Sequence, residues 1–391
     1  MFKNSIYQVL GNVVSAGINL LIIAITARVL GAEGRGEITY LLTCIGLLQI
    51  FTAIVGNSVM VFMLTKYRQK EVLLVSFIWT LSIVAISILF VGFTTNLSII
   101  NIIYFAVLGF VLTSFNNLTT LYSYQLKFRR LTILKVIQPV FLIGLIFSFS
   151  FFKPLNLNIY WLLFIISYVP HFIILLFETF ERKQLVSKSS INTVAFDFLK
   201  LGGLNQINNL MQFASYRFAV LLIMKLLSIK DVGVFGLWLT VTDAIWLIPK
   251  GLANVNMAYA TKVNYQRKHI FRYTIISMFL SASLIITILV IPNSIYVWVL
   301  GKDFVELKQL IIFSSPVIVL FTINLIIAYY FSAKGLIKYN TLSSGLGFLV
   351  IISFSYYLIK QNGLQGAVLA NCLSYSISII TTLFLFFRKG K

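Results

Sequence analysis

Residues 72–94 read VLLVSFIWTLSIVAISILFVGFT, twenty-three positions without one charged side chain. Wound as an α-helix they extend about 34 Å, enough to cross a hydrocarbon layer of roughly 30 Å. The stretch is too long and too uniformly apolar for the alternating pattern of a barrel strand. A helix also satisfies every backbone polar group internally, as hydrocarbon demands. This segment therefore predicts a transmembrane helix.

The same test applied outward predicts about twelve spans: 6–27, 38–63, 72–94, 98–123, 133–152, 159–178, 199–225, 232–257, 273–298, 307–331, 340–359 and 364–387. Composition agrees. Charged residues are 10% of the 391 and hydrophobic ones 59%, against roughly 25% charged in a soluble domain. The net charge of +21 does not indicate nucleic-acid binding, because the basic residues stand in short gaps between apolar segments. Cys44 and Cys372 both lie inside apolar segments and imply neither a disulfide framework nor a metal site. The start Met1-Phe2-Lys3-Asn4 resembles a signal-peptide n-region. The apolar stretch behind it lacks a clear cleavage site, so it is read as the first span.

Lysine and arginine report orientation. Alternate gaps on the amino-terminal side, with the span ends bordering them, hold 21 of the 31, the opposite gaps and span ends hold 8, and Arg217 and Lys250 fall deeper within spans. That bias predicts a multi-pass protein of the cytoplasmic membrane with both termini in the cytoplasm. The longest gap follows Glu178 and is basic. It divides the chain into an amino-terminal lobe (1–178), a cytoplasmic linker (179–198) and a carboxy-terminal lobe (199–391), each lobe holding six spans.

An offset of 197 residues brings Asn12 onto Asn209, Leu30 onto Leu227, Gly36 onto Gly233, Leu42 onto Leu239 and Thr43 onto Thr240. The polar pattern repeats with it. Gln8, Asn12, Ser15, Asn19 and Thr26 follow one another at intervals of 4, 3, 4 and 7, which keeps them on one helical face. Asn205, Asn209, Gln212 and Tyr216 repeat the 4, 3, 4 spacing. Amides are costly in hydrocarbon and must face protein or water. One such stripe reads equally as helix–helix hydrogen bonding. Two at equivalent places favour a shared polar cavity. Six spans per half imply parallel repeats related by an axis along the membrane normal.

Arg217, Asp243, Lys250 and His171 fall within spans, where an ionisable group costs at least about 2.5–3.5 kcal/mol unless partnered or wet. Asp243 lies 12 residues from Asp231, roughly 18 Å deep, and Arg217 lies 8 residues from Lys225, roughly 12 Å deep from the same side. The two are close enough in depth to pair. Lys250, in Pro249-Lys250-Gly251, is near enough to the cytoplasmic end to snorkel. His171 follows Pro170 and is the only mid-span group that titrates near neutral pH unperturbed. Asp243 and His171 are the ion-coupling candidates. The cavity candidates are Arg217, Asn12, Ser15, Asn19, Asn205, Asn209, Gln212, Tyr216 and Lys250. No P-loop, nucleophile elbow or metal cluster occurs, so no cofactor is expected and the chain is read as a transporter, not an enzyme.

An ordered series of motifs carries a resemblance. Ala27-Arg28-Val29-Leu30-Gly31-Ala32-Glu33-Gly34-Arg35-Gly36-Glu37 closes span 1. Ser215-Tyr216-Arg217-Phe218-Ala219-Val220, Val232-Gly233-Val234-Phe235 and Ile245-Trp246-Leu247-Ile248-Pro249 follow in spans 7 and 8. Val299-Leu300-Gly301-Lys302-Asp303-Phe304, Ser332-Ala333-Lys334-Gly335 and Gly363-Leu364-Gln365-Gly366-Ala367-Val368-Leu369-Ala370 complete it. In kind and order these resemble the polysaccharide-unit flippases of the multidrug/oligosaccharidyl-lipid/polysaccharide exporter superfamily, nearest the O-antigen flippases of the Wzx type. The resemblance covers essentially the whole chain.

It implies an all-α membrane fold of two six-helix lobes around a central cationic cavity. It also implies movement of an undecaprenyl-pyrophosphate-linked oligosaccharide across the cytoplasmic membrane by alternating access, for O-antigen or capsule synthesis. The partners implied are that lipid-linked oligosaccharide, the phospholipid bilayer and polysaccharide polymerase machinery, with no nucleic acid. Arg217 matches the family's span-7 arginine, and Arg28 and Arg35 flank its span-1 glycine motif. Three rivals stand beside this reading: a multidrug/cation antiporter of the same superfamily, a polytopic polysaccharide polymerase or ligase, and a nontransporting membrane scaffold.

Overall fold

The computed structural model describes residues 2–94, 98–125, 127–180, 190–260 and 268–388. Among them the chain is helical almost throughout and has no strand. In order the helices are α1 (Phe2–Thr52), α2 (Asn57–Lys66), α3 (Gln69–Thr94), α4 (Ile99–Tyr124), α5 (Phe128–Ser150), α6 (Leu157–Ile166) and α7 (Val169–Phe180). The rest are α8 (Ile191–Leu226), α9 (Ile229–Ile245), α10 (Leu247–Ala260), α11 (Lys268–Val290), α12 (Asn293–Leu300), α13 (Leu307–Ala333) and α14 (Ile337–Arg388). They form two compact units, one of Met1–Ile23 and Leu41–Asn209, the other of Ala24–Tyr40 and Leu210–Lys391. Residues 24–40, in the first half of the sequence, thus pack in the second unit, and 199–209 pack in the first. Within the linker foreseen over 179–198, residues 181–189 lie outside the described residues and Ile191–Phe198 begin α8.

Eight helices among the described residues are long and apolar enough to cross a membrane, nine when the bent pair α9–α10 counts as one span. Two of the eight, Val14–Lys66 and Ile337–Arg388, have 53 and 52 residues, about twice what a bilayer needs. Each is broken at a glycine with positive φ, Gly31 at 66° and Gly363 at 55°. An L side chain is strained there, so the turn between each pair of predicted spans is set by glycine. α8, which carries Gln206, Asn209 and Gln212, is not among the eight.

Proline explains the other breaks. Its ring clashes with the carbonyl four residues earlier and it lacks an N–H. Pro170 accordingly separates α6 from α7, and Pro249 separates α9 from α10 at a 40° bend. Pro292 ends the predicted ninth span early, so that 293–300 form the separate helix α12. At the α6–α7 break, Gln138 of α5 donates to the Ser167 hydroxyl at 2.9 Å, and that hydroxyl donates to the Phe164 carbonyl at 2.6 Å.

In the second unit two glycines related by the offset of 197 residues stand at one helix crossing. A methyl group added to Gly36 would collide with the Ile229 carbonyl, and one added to Gly233 would collide with the Ala32 carbonyl. These are one contact seen from both sides: Gly36 and Gly233, like Ala32 and Ile229, are 197 residues apart. The start of α1's second arm and the start of α9 cross at backbone contact, which only glycine permits. The Ala32 N–H, orphaned by the break at Gly31, donates to Asp303 Oδ2 at 3.1 Å. A carboxylate thereby caps the second arm of α1 from 271 residues away.

In the first unit the start of α8 is fastened to α2. Val194 and Phe198 are buried with Val55, Val59, Met60, Met63 and Leu64. Gly202 meets the Ile54 carbonyl at backbone contact, and Gln206 Nε2 donates to the Ala53 carbonyl at 3.1 Å. Lys66 Nζ and the Tyr67 hydroxyl both donate to Asp197 Oδ2 at 2.6 Å. These bonds hold the Asp197 carboxyl below its ordinary value and raise Lys66 above its own.

The depressed carboxyl contributes stability above its unfolded value near 4, lost as pH falls through the lower folded value. The raised ammonium contributes below its unfolded value, lost as pH rises through the folded one. Amide exchange in the first turns of α8, taken relative to the intrinsic rate at each pH, is therefore expected to be insensitive to the pair's titration between about pH 5 and 10 and to increase on acidification. The increase should stay under about tenfold, since exposed pairs contribute little. Asp197→Asn should abolish that acid-dependent increase; an increase unchanged in the variant would mean the bonds do not hold α8.

Candidate functional site

Three of the four ionisable residues predicted within spans meet in the second unit. Arg217 of α8 donates from Nη2 to Asp243 Oδ2 at 3.2 Å, and Lys250 of α10 donates from Nζ to Asp243 Oδ1 at 3.2 Å. The break before Pro249 matters for the second bond. In a straight helix, residues seven apart are separated by about 10.5 Å along the axis. The bend between Asp243 and Lys250 shortens that reach. The sequence admits snorkelling of Lys250 toward the cytoplasmic end; in the structure it is instead bound to Asp243.

The result is two cations on one carboxylate, with one positive charge in excess. The side chains are 31% (Arg217), 47% (Asp243) and 39% (Lys250) exposed. Pairs this open are worth on the order of 1 kcal/mol in water. Stripping a partner away in hydrocarbon would instead leave a bare ion, at a cost of at least about 2.5 kcal/mol. An exposed charged cluster at span depth therefore belongs to a wet surface of the unit, not to lipid.

Beside the cluster stands an aromatic group. Tyr216, Trp246, Phe321 and Tyr375 pack on one another with ring centroids 4.6 to 6.2 Å apart. Trp246 is pinned by its indole N–H on the Ile318 carbonyl at 2.9 Å, and Lys250 Nζ stands 5.9 Å from its ring. The Tyr216 hydroxyl hydrogen-bonds the Gln212 side chain and lies in the field of Asp243. Tyr375 feels both Asp243 and Arg217. A cationic patch can take an anion through charge-assisted hydrogen bonds, and the rings beside it, with Trp246, Phe321 and Tyr375 buried, hold it in place.

The remaining predicted residues are dispersed. Ser15 donates to the Lys135 carbonyl at 3.1 Å, and Asn19, exposed, donates to Ser15 at 3.5 Å. Asn209 donates to Gln206 at 2.9 Å in the first unit, whereas Gln212 and Tyr216 belong to the second. The side chains of Asn12 and Asn205 lie outside the described residues. His171 is buried in the first unit, with Nε2 3.0 Å from the Leu134 carbonyl and its ring edge-on to Phe115 at 4.9 Å. Arg28 is exposed over the Trp298 ring at 6.0 Å, while Arg35 is buried and donates to Thr26 at 3.3 Å. Sequence reasoning missed Phe321 and Tyr375. They stand 78 and 132 residues beyond Asp243, with no local spacing to connect them.

The order of these helices gives the chain the fold of solved MATE and MurJ structures. Three solved structures illustrate the similarity. An inward-facing multidrug resistance MATE family transporter of the MOP superfamily has a TM-score of 0.71 at 13% identity, covering 97% of this chain and 94% of that one. The lipid II flippase MurJ in an inward closed conformation has a TM-score of 0.70 at 14% identity, covering 99% and 88%. The MATE multidrug transporter DinF-BH has a TM-score of 0.69 at 14% identity, covering 99% and 94%. No protein-family model and no curated protein matches the chain.

Proposed function

We propose that this chain is a transporter of the cytoplasmic membrane, with both termini inside. By alternating access it flips an undecaprenyl-pyrophosphate-linked oligosaccharide, of the kind handled by Wzx-type flippases, for surface polysaccharide synthesis. The observation that carries this reading is the Arg217–Asp243–Lys250 cluster, cationic in balance and set against Tyr216, Trp246 and Tyr375. The sugars and pyrophosphate of such a cargo cannot cross hydrocarbon unaided, while its polyprenyl tail can stay in lipid. Arginine suits pyrophosphate as a fixed charge with a fork of donors. The exposed amide of Gln212, one helical turn before Tyr216, suits sugar hydroxyls.

The fold is shared as fully with multidrug transporters as with a lipid II flippase, so multidrug export is the second reading. A cationic drug needs a carboxylate free to receive it, and both oxygens of Asp243 are already engaged by cations. That supports the anionic cargo. His171 and Asp243 stay the candidates for ion coupling, and the polymerase machinery the candidate partner.

Expression in strains lacking their own O-antigen or capsule flippase is expected to restore surface glycan. Resistance to cationic drugs should not change. Drug resistance without glycan in any such strain would replace this reading with the second.

A further inference from the structure

Asp243 uses both carboxylate oxygens, one on Arg217 and one on Lys250, each at 3.2 Å. Two oxygens on one centre, each holding a separate cation, is also how a phosphate group would bridge the same pair. We propose that Asp243 is a built-in competitor: its carboxylate occupies the phosphate position of the cargo site when no cargo is bound, and the cargo's anion displaces it. This rests on the reading of an anionic cargo given above.

Three observations support it. The cluster is a third to a half exposed, so an anion arriving from water can reach it. Arg217 commits Nη2 to Asp243, and a guanidinium carries five N–H donors in all. The residues flanking the cluster are rings packed on one another, and Lys250 Nζ stands 5.9 Å from the Trp246 ring, so the two cations have a fixed support when the carboxylate leaves.

Displacement keeps charge balance. Without cargo, one carboxylate partly neutralises two cations, and no bare pair of like charges is left at span depth. With cargo, phosphate oxygens take over both hydrogen bonds and the excess positive charge meets the remaining phosphate charge. The returning carboxylate then competes the product away. Asp243 thus weakens binding and speeds release, a specificity and turnover role distinct from cargo contact.

The test uses the full chain in lipid nanodiscs with inorganic pyrophosphate as probe. Asp243→Asn keeps size and removes charge, and is expected to bind pyrophosphate at least tenfold more tightly than the unsubstituted protein. Adding Arg217→Gln to Asp243→Asn should erase that gain. Affinity equal to or weaker than that of the unsubstituted chain, or no detectable pyrophosphate binding by either, overturns the proposal.

Should Asp243→Asn fail to fold, the unsubstituted protein supplies a second measurement. Millimolar pyrophosphate should protect Lys250 from amine acylation read by mass spectrometry, and no protection overturns the proposal equally. Cargo identity is judged separately, by glycan export. A tenfold gain without export by the unsubstituted chain upholds the competition and removes the glycan cargo. Export without a gain upholds the cargo and removes the competition.

Discussion

Arg217→Ala is expected to abolish glycan export while leaving membrane insertion intact. The physical reason is charge balance. Arg217 and Lys250 share the single carboxylate of Asp243, so deleting Arg217 leaves a neutral pair and no excess positive charge for an anion. Removing a charge-assisted donor to a bound phosphate costs about 1.5–3 kcal/mol, or ten- to more than a hundredfold in binding. Lys250→Ala removes the same excess charge and should also impair export, though less completely, because the forked donors of Arg217 remain. Arg217→Lys should restore part of the activity, having charge without the fork. The measurement is surface glycan in a flippase-deficient strain, normalised to the amount of protein in the membrane. Export at the unsubstituted level by Arg217→Ala would remove the cluster from the mechanism.

The second large effect is expected at the glycine crossing. Gly36 and Gly233 touch backbone carbonyls of the opposite helix, and a carbonyl cannot rotate aside as a side chain can. Gly36→Ala and Gly233→Ala should each cost about 1–3 kcal/mol, the usual range for overpacking. The double variant should cost clearly less than the sum. Once one methyl group has forced the helices apart, the second finds room, and neighbouring sites that share one displacement are not additive. Thermal unfolding in detergent checks both statements. Additive losses would mean that the two glycines act on separate contacts. By contrast, Gly17→Ala should be tolerated, since nothing stands within 4 Å of the added methyl group.

Much of this molecule was legible in its sequence because hydrocarbon imposes simple rules. Runs such as 72–94 must be helices, and basic gaps must alternate. The pairing of Arg217 with Asp243 followed from depth along two adjacent spans, and the structure makes that bond. The offset of 197 residues, weak as a list of identities, marked Gly36 and Gly233 before their contact was known. Where the reading fell short, the interaction was long in sequence. Asp303 capping Ala32, and Phe321 and Tyr375 packing on Trp246, have no periodicity to announce them.

Lys250 is the instructive case. Its position near a span's end admitted snorkelling, and only the bend of 40° between α9 and α10 brought it to Asp243. The amide stripes show the same limit. Their periodicity placed Ser15 and Asn19 on one helical face, and Asn209 and Gln212 on another. Yet Ser15 is bound to the Lys135 carbonyl and Asn209 to Gln206.

Composition and hydropathy are enough to specify an all-helical membrane chain, because the bilayer penalises every unsatisfied backbone group and every unpartnered charge. That Lys250 joins Arg217 on Asp243, and which rings stand beside them, emerges from tertiary packing, because it depends on where proline and glycine bend the helices. Packing also sets how closely α1 and α9 cross, because that depends on the absence of two methyl groups.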